Sequence, residues 1–179
     1  MQIIAAKIAI LIEEMHSMNI VHGDIKPSNI IYDRETESLK LVDFGLSTQL
    51  SSIGDLMFIM KGSLGYVNRD IHFQQPYNYT ADWYAYGITL LRLFGGHVEY
   101  HEKTKNGITV KETSLFFINF TESKIELVKF CLRTSDINEM CLLHLENLSF
   151  FASLDWDAIK TEFASECNIP LSTNRRLIQ

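Results

Sequence analysis

The chain has 179 residues, 46% of them apolar, three cysteines and a formal net charge of −6. That length suits one domain able to bury roughly 70% of its unfolded surface, and the composition argues against a disordered or collagen-like chain. With no basic block beyond Arg175-Arg176, the acidic balance gives nucleic acid nothing to bind.

Cys131, Cys141 and Cys167 form no C-x-x-C pair. An odd count at these spacings favours neither a disulfide framework nor a zinc knuckle, and fits a reducing compartment. The helical spacing of Cys131 and Cys141 makes them buried small hydrophobes. At the N-terminus, the Ile3 to Ile12 run is too short to span a bilayer. Lys7 interrupts it and Glu13-Glu14 follow, where a signal peptide would need a small-residue cleavage site. Ile4, Ile8, Leu11, Ile12 and Met15 recur at three- and four-residue steps, which predicts a helix over residues 2–18 with one broad apolar stripe. His16 near its end reads as a packing or surface histidine. Met18-Asn19 then breaks the pattern toward an extended pair, Ile20-Val21.

Next comes His22-Gly23-Asp24-Ile25-Lys26-Pro27-Ser28-Asn29, and Asp43-Phe44-Gly45 follows fourteen residues after that Asn. Two carboxylates, an ammonium and a carboxamide at these spacings suit a site for phosphate and metal. The Asn29-Ile30-Ile31-Tyr32 and Leu39-Lys40-Leu41-Val42 runs read as two short strands about a polar turn, bringing Asn29 and Asp43 toward each other. The pattern resembles the catalytic and metal-binding loops of eukaryotic protein kinases, and the lysine two after the Asp resembles their serine/threonine branch. The resemblance implies roles. Asp24 takes the proton of a hydroxyl, Lys26 neutralises the transferring phosphoryl, and Asn29 with Asp43 holds magnesium on ATP. Ile31 floors the adenine pocket, and His22 packs on the Phe44 ring rather than moving protons.

Residues 43 to 70 resemble a kinase activation segment. Gly62-Ser63-Leu64-Gly65-Tyr66 is similar to the family's Gly-Thr-x-x-Tyr element, which implies that Ser63 bonds Asp24 and Lys26. Asn68-Arg69-Asp70 replaces the usual Ala-Pro-Glu. Gly23 stands where many kinases carry a phosphate-gripping arginine, and Ile59 where that phosphate would sit. Losing both partners leaves no unpaired charge, so no activation-loop phosphorylation switch is expected. The apolar Leu56-Met57-Phe58-Ile59-Met60 would instead have to pack.

Residues 81–95 read as a second buried helix stopping at Gly95-Gly96. Asp82 on it needs a partner, and the resemblance supplies the backbone around His22. Over residues 97–123 a loop or short helix is expected, where kinases carry a variable substrate-facing helix. His97 and His101, with Glu99 and Glu102 nearby, invite a zinc reading on helical spacing, but the flanking Gly95-Gly96 and Gly107 favour the loop. Lys124 to Leu132 and Glu139 to Leu148 are predicted amphipathic helices. Met140 stands where the family has an arginine paired to the glutamate of Ala-Pro-Glu. Ser149-Phe150-Phe151-Ala152-Ser153-Leu154-Asp155-Trp156 resembles the closing motif of kinases related to protein kinases A, G and C.

The expected fold is therefore mainly α: a kinase-like C-terminal lobe with a small β-hairpin beside the catalytic loop, the N-terminal β lobe absent. Residues 1–160 would be the partial kinase domain and 161–179 a tail. The implied function is transfer of the ATP γ-phosphoryl to a Ser/Thr hydroxyl of a protein substrate, with magnesium, in the cytoplasm or nucleus. No membrane or nucleic-acid partner is expected. The alternatives are a lobe-only pseudokinase that docks on and regulates another kinase, and a degenerate fragment. Without the Gly-rich loop and strand lysine that cover ATP, the 179-residue chain alone is expected to be inactive, unless an N-terminal lobe acts in trans. Ile31 and Phe44 would then face water.

Overall fold

A computed structural model describes residues 1–51, 62–63, 65–67, 78–105, 108–133 and 142–167. The expectations for Leu56 to Met60, for Asn68-Arg69-Asp70, for Met140 and for Cys141 fall outside these residues. The described part is mostly helical, with three two-stranded antiparallel sheets.

Helix α1 spans Gln2–Ser17. Its burial is wider than the single stripe read from the sequence. Ala5 to Ile10 are all buried, together with Ile12 and Met15, because small alanines let neighbours close on every side of the middle turns. Lys7 lies inside this set at 1% exposure, and its Nζ donates to the Glu37 carbonyl at 2.8 Å and meets Glu162 Oε1 at 3.1 Å. The helix ends where Asn19 turns left-handed at φ 59°, a conformation that asparagine tolerates.

Four short strands follow. β1 (Ile20–Val21) pairs with β4 (Thr48–Gln49), and β2 (Ile30–Tyr32) pairs with β3 (Leu39–Leu41), Ile31 standing opposite Lys40. Helix α2, Thr80–Leu93, is the buried second helix expected from the sequence. It stops in a Schellman arrangement: Gly95 at φ 93° donates to the Arg92 carbonyl and Gly96 to that of Leu91. Trp83, Tyr86, Leu90 and Leu91 fill the centre of the core, and the Tyr86 hydroxyl donates to the Ala5 carbonyl at 3.0 Å.

The loop or short helix expected after Gly96 is corrected by the structure. β5 (His97–Lys105) pairs antiparallel with β6 (Ile108–Phe116), from His97 opposite Phe116 to Lys105 opposite Ile108. Val98, Tyr100 and Thr104, then Thr109, Val110 and Thr113, are residues that favour pleated backbone, and that preference outweighs helical spacing here. The zinc reading loses its helical basis with the helix. His97, Glu99 and His101 instead share one strand face, where both imidazole Nε2 atoms approach the Glu99 carboxylate, at 3.4 and 3.5 Å. The His97 ring stacks flat on Phe116.

Helix α3 (Glu122–Leu132) packs on α2 and carries the buried Cys131. α4 is short (Leu142–Glu146), and α5 (Trp156–Cys167) packs on α1. The expected division after residue 160 falls inside α5, whose Phe163 belongs to the core. Among the described residues no helix is long and apolar enough to cross a membrane.

Candidate active site

The site grows from one buried carboxylate that is not itself reactive. Asp82, in the first turn of α2, is fully buried. Its Oδ2 accepts from the His22 backbone N–H and its Oδ1 from that of Gly23, both at 2.8 Å. His16 Nε2 lies 3.0 Å from Oδ2, so Asp82 ties α1, α2 and the loop into one unit. This is the scaffold role the sequence assigned to Asp82. Two turns further along α2, the Thr89 hydroxyl donates to the Ile25 carbonyl at 3.3 Å and fixes the middle of the loop.

His22 then joins the loop to the second motif. Its Nδ1 accepts from the Asp24 N–H at 3.3 Å, which leaves the proton on Nε2, 3.2 Å from the Val42 carbonyl that accepts it. The ring packs on Phe44 at 4.8 Å between centroids. The packing histidine expected from the sequence is what is found.

Gly23 answers a backbone need. Its φ is 76°, and a Cβ there would come within 2.9 Å of the Leu46 carbonyl oxygen. Any L side chain at this position carries strain of order 1–2 kcal/mol from the left-handed backbone alone.

Asp24, Lys26, Asn29 and Ser63 converge. Lys26 Nζ lies 2.7 Å from Asp24 Oδ2 and donates to the Ser63 hydroxyl at 2.7 Å. The Ser63 N–H donates to Asp24 Oδ1 at 3.0 Å. Asn29, buried, donates through Nδ2 to the Asp24 carbonyl at 2.9 Å and to Asp24 Oδ2 at 3.1 Å. Burial by itself would raise the Asp24 carboxyl. Hydrogen bonds from Lys26 and Ser63, the Lys26 charge and the Asn29 amide outweigh it, and the carboxyl is held below its usual 3.8. Asp24 is therefore an anion at neutral pH, clamped on both oxygens.

Asp43 reaches the same region through the backbone: the N–H of Val42, its chain neighbour, donates to the Asn29 carbonyl at 3.0 Å. Asp43 itself is exposed, left-handed at φ 65°, and takes the Gly45 N–H at 3.3 Å. The fit to magnesium rests on Asn29. Both Nδ2 bonds go to Asp24, and Oδ1, which takes only a long 3.5 Å bond from the Ser28 hydroxyl, keeps a lone pair that could serve a cation together with the exposed carboxylate of Asp43. One or two such ligands are what magnesium takes from protein when phosphate and water supply the rest. Ile31 sits on β2 with 53% of its surface exposed, and Phe44 is 48% exposed.

Sequence reasoning missed two parts of this scaffold. His16 is a partly buried partner of Asp82, and its place one turn beyond Ile12 on the apolar stripe was the available signal. Thr89 carried none, since a threonine on a buried helix has no distinctive spacing.

Comparison with known proteins agrees with this geometry. The protein kinase domain family matches residues 1–146. The chain is 25% identical over 160 residues to "Ribosomal protein S6 kinase alpha-6" of Homo sapiens, covering 86% of this chain and 21% of that protein. It is 29% identical over 100 residues to the human "Ribosomal protein S6 kinase alpha-1", covering 56% of this chain and 14% of that protein. It is 27% identical over 97 residues to "cAMP-dependent protein kinase type 3" of Saccharomyces cerevisiae, covering 54% of this chain and 23% of that protein. The chain thus spans about a fifth of the length of the curated relatives it matches. On the family match over residues 1–146, the chain belongs to the protein kinase domain family.

Proposed function

We propose that this chain is the catalytic lobe of a serine/threonine protein kinase and handles transfer of the ATP γ-phosphoryl to a protein hydroxyl. The observation that carries the reading is the Asp24–Lys26–Ser63–Asn29 network, in which each group is oriented by another. In this reading Asp24, ionised and fixed on both oxygens, orients the acceptor hydroxyl and takes its proton as the new P–O bond forms. Lys26 stabilises negative charge on the phosphoryl in flight, and Ser63 holds the substrate-side loop against both. Asn29 Oδ1 and Asp43 would hold magnesium, which neutralises phosphate charge when bound. Residues 1–160 form the kinase lobe in this reading, the β2–β3 hairpin lies beside the catalytic loop, and Ile31 floors the adenine site. A cytoplasmic or nuclear setting goes with it.

Assayed alone with labelled ATP and a protein substrate, the 179-residue polypeptide is expected to stay at background, because ATP would lack a cover on its other face. Transfer above background that vanishes in Asp24→Ala and Asp43→Ala would overturn the expected inactivity and establish the enzyme directly. Background transfer after a kinase N-terminal lobe is supplied in trans would count against the enzyme reading.

A second reading has its own support. Ile31 and Phe44 expose large apolar faces, and such faces are normally covered. A pseudokinase that docks on another kinase through them would leave the loop intact. Co-purification with a full-length kinase that is lost in Ile31→Glu and Phe44→Glu variants would favour this reading. A solitary, soluble monomer would count against it.

A further inference from the structure

Asp24 and Lys26 are separated by one residue, Ile25, so the peptide joining Ile25 to Lys26 fixes how the carboxylate and the ammonium lie relative to each other. The carbonyls along this stretch are held by different donors. That of Asp24 accepts from Asn29 Nδ2 at 2.9 Å and that of Lys26 from the Asn29 N–H at 3.0 Å, both inside the loop. The Ile25 carbonyl between them is held from outside the loop, by the Thr89 hydroxyl of α2 at 3.3 Å.

A helical threonine often turns its hydroxyl back to the carbonyl one turn earlier, whereas this hydroxyl crosses to the loop. Thr89 and Ile25 are both fully buried, so although 3.3 Å is long for a hydroxyl, solvent offers the pair no alternative partner. Thr89 lies seven residues after Asp82, two turns along the same face of α2. That face therefore ties the loop at His22 and Gly23 through Asp82, and again at Ile25 through Thr89. The first tie sets where the loop begins. The second sets how the peptide between Asp24 and Lys26 is turned, and rotation of that peptide would carry Lys26 Nζ away from Asp24 Oδ2 and the Ser63 hydroxyl, each 2.7 Å from it.

We infer that Thr89 is a positioning residue for phosphoryl transfer, its hydroxyl holding the Ile25–Lys26 peptide in the orientation that keeps Lys26 on Asp24 and Ser63, an assignment that rests on the kinase reading above. Thr89 acts through the loop and touches no reacting atom. A misplacement of about 1 Å transmitted from outside the chemistry can cost about 10²-fold in rate, so removing the hydroxyl is expected to lower kcat by about 10- to 100-fold.

The test separates the hydroxyl from the bulk of the side chain. Thr89→Val keeps the shape and removes the hydroxyl, and Thr89→Ser keeps the hydroxyl and removes a methyl. Amide hydrogen exchange is read by NMR on the 179-residue chain at Asp24, Asn29 and Ser63, whose N–H groups bond His22 Nδ1, the Lys26 carbonyl and Asp24 Oδ1. Ile8 and Ile12, buried in α1, are the reference for global stability. In Thr89→Val the loop amides are expected to exchange about 3- to 10-fold faster than the reference accounts for, the effect of one lost hydrogen bond. In Thr89→Ser they are expected to keep step with the reference, because the hydroxyl remains. A threonine needed for packing alone would move loop and reference together. Loop amides in Thr89→Val that match wild type or merely follow the reference overturn the inference, as does a loop-selective effect in Thr89→Ser equal to that in Thr89→Val. Should Thr89→Val not fold, Thr89→Ala against Thr89→Ser makes the same comparison, since both lack the methyl and only one has the hydroxyl. Phosphoryl transfer is scored separately in the lobe-complemented form, where kcat should fall in Thr89→Val and recover in Thr89→Ser with KM for ATP within about twofold. Hydroxyl-dependent loop exchange without transfer in any form supports the positioning of the Asp24–Lys26 pair while failing the kinase reading. Transfer at wild-type kcat in Thr89→Val does the reverse.

Discussion

Asp82→Ala is the sharpest perturbation of the scaffold, because it removes the acceptor of two backbone donors at once, one buried and one partly buried. The His22 and Gly23 N–H groups each give Asp82 a 2.8 Å bond, and His16 Nε2 sits 3.0 Å away. Leaving a buried donor unsatisfied costs roughly 1–3 kcal/mol, so the two N–H groups alone imply about 2–6 kcal/mol, and about 4 is the central expectation. Asp82→Asn keeps one oxygen for one N–H and turns an NH₂ toward the other, which should cost about half as much. Against a total stability of about 5–15 kcal/mol, the alanine variant loses a large fraction. For a chain of this size the shift corresponds to a melting temperature lower by about 8–16 °C. Urea unfolding followed by circular dichroism measures the loss, and hydrogen exchange at the His22 and Gly23 amides locates it. An alanine variant within about 1 kcal/mol of wild type, or an asparagine variant equal to wild type, would refute the reasoning, since neither is compatible with N–H groups that depend on this carboxylate.

Three further outcomes follow from the same geometry. Gly23→Arg, which restores the residue many kinases carry, should destabilise by about 1–3 kcal/mol in urea, from the left-handed φ and the 2.9 Å approach of Leu46 oxygen. A neutral result would show that the loop relaxes freely. The Asp24 carboxyl, lowered from 3.8 by its partners, contributes stability that is present above that value and lost as pH falls through the folded-state pKa. Carbon-detected titration should therefore place its midpoint below 3.8 in the wild type and higher in Lys26→Met, and a wild-type midpoint at or above 3.8 contradicts the clamp. Burial pushes the Cys131 thiol far above its ordinary range, so Cys131 should resist iodoacetamide in the folded chain and react only after denaturation, as read by peptide mass.

What the sequence disclosed depends on whether the signal was local. α1 and α2 were legible because apolar residues at helical steps mark a buried face wherever the helix lies. Asp82 was legible because a carboxylate on an apolar helix requires a donor, and the motif beside it offered two. Ser63 was legible through the motif it belongs to. The β5–β6 pair was not found, although Asn106-Gly107 between two runs of β-branched and aromatic residues is a hairpin signature. Attention to glycine as a breaker and to the helical spacing of His97 and His101 hid an alternation of period two. Lys7 shows a different gap. A lysine on a helix reads as an interruption of the apolar face, and only the folded chain reveals the Glu37 carbonyl and Glu162 carboxylate that let its ammonium be buried. The Thr89–Ile25 bond joins residues far apart in the chain, and no spacing rule reaches that distance.

The central claim is that Asn29 and Asp43 form the metal side of a phosphoryl-handling loop. Paramagnetic broadening by manganese with ATP, read residue by residue in nitrogen-labelled chain, tests it even where binding is weak. The account predicts broadening centred on the Asn29 side-chain amide and the Asp43 to Gly45 backbone, and its disappearance in Asp43→Asn. Broadening that leaves these residues untouched, or that persists unchanged in Asp43→Asn, would contradict it.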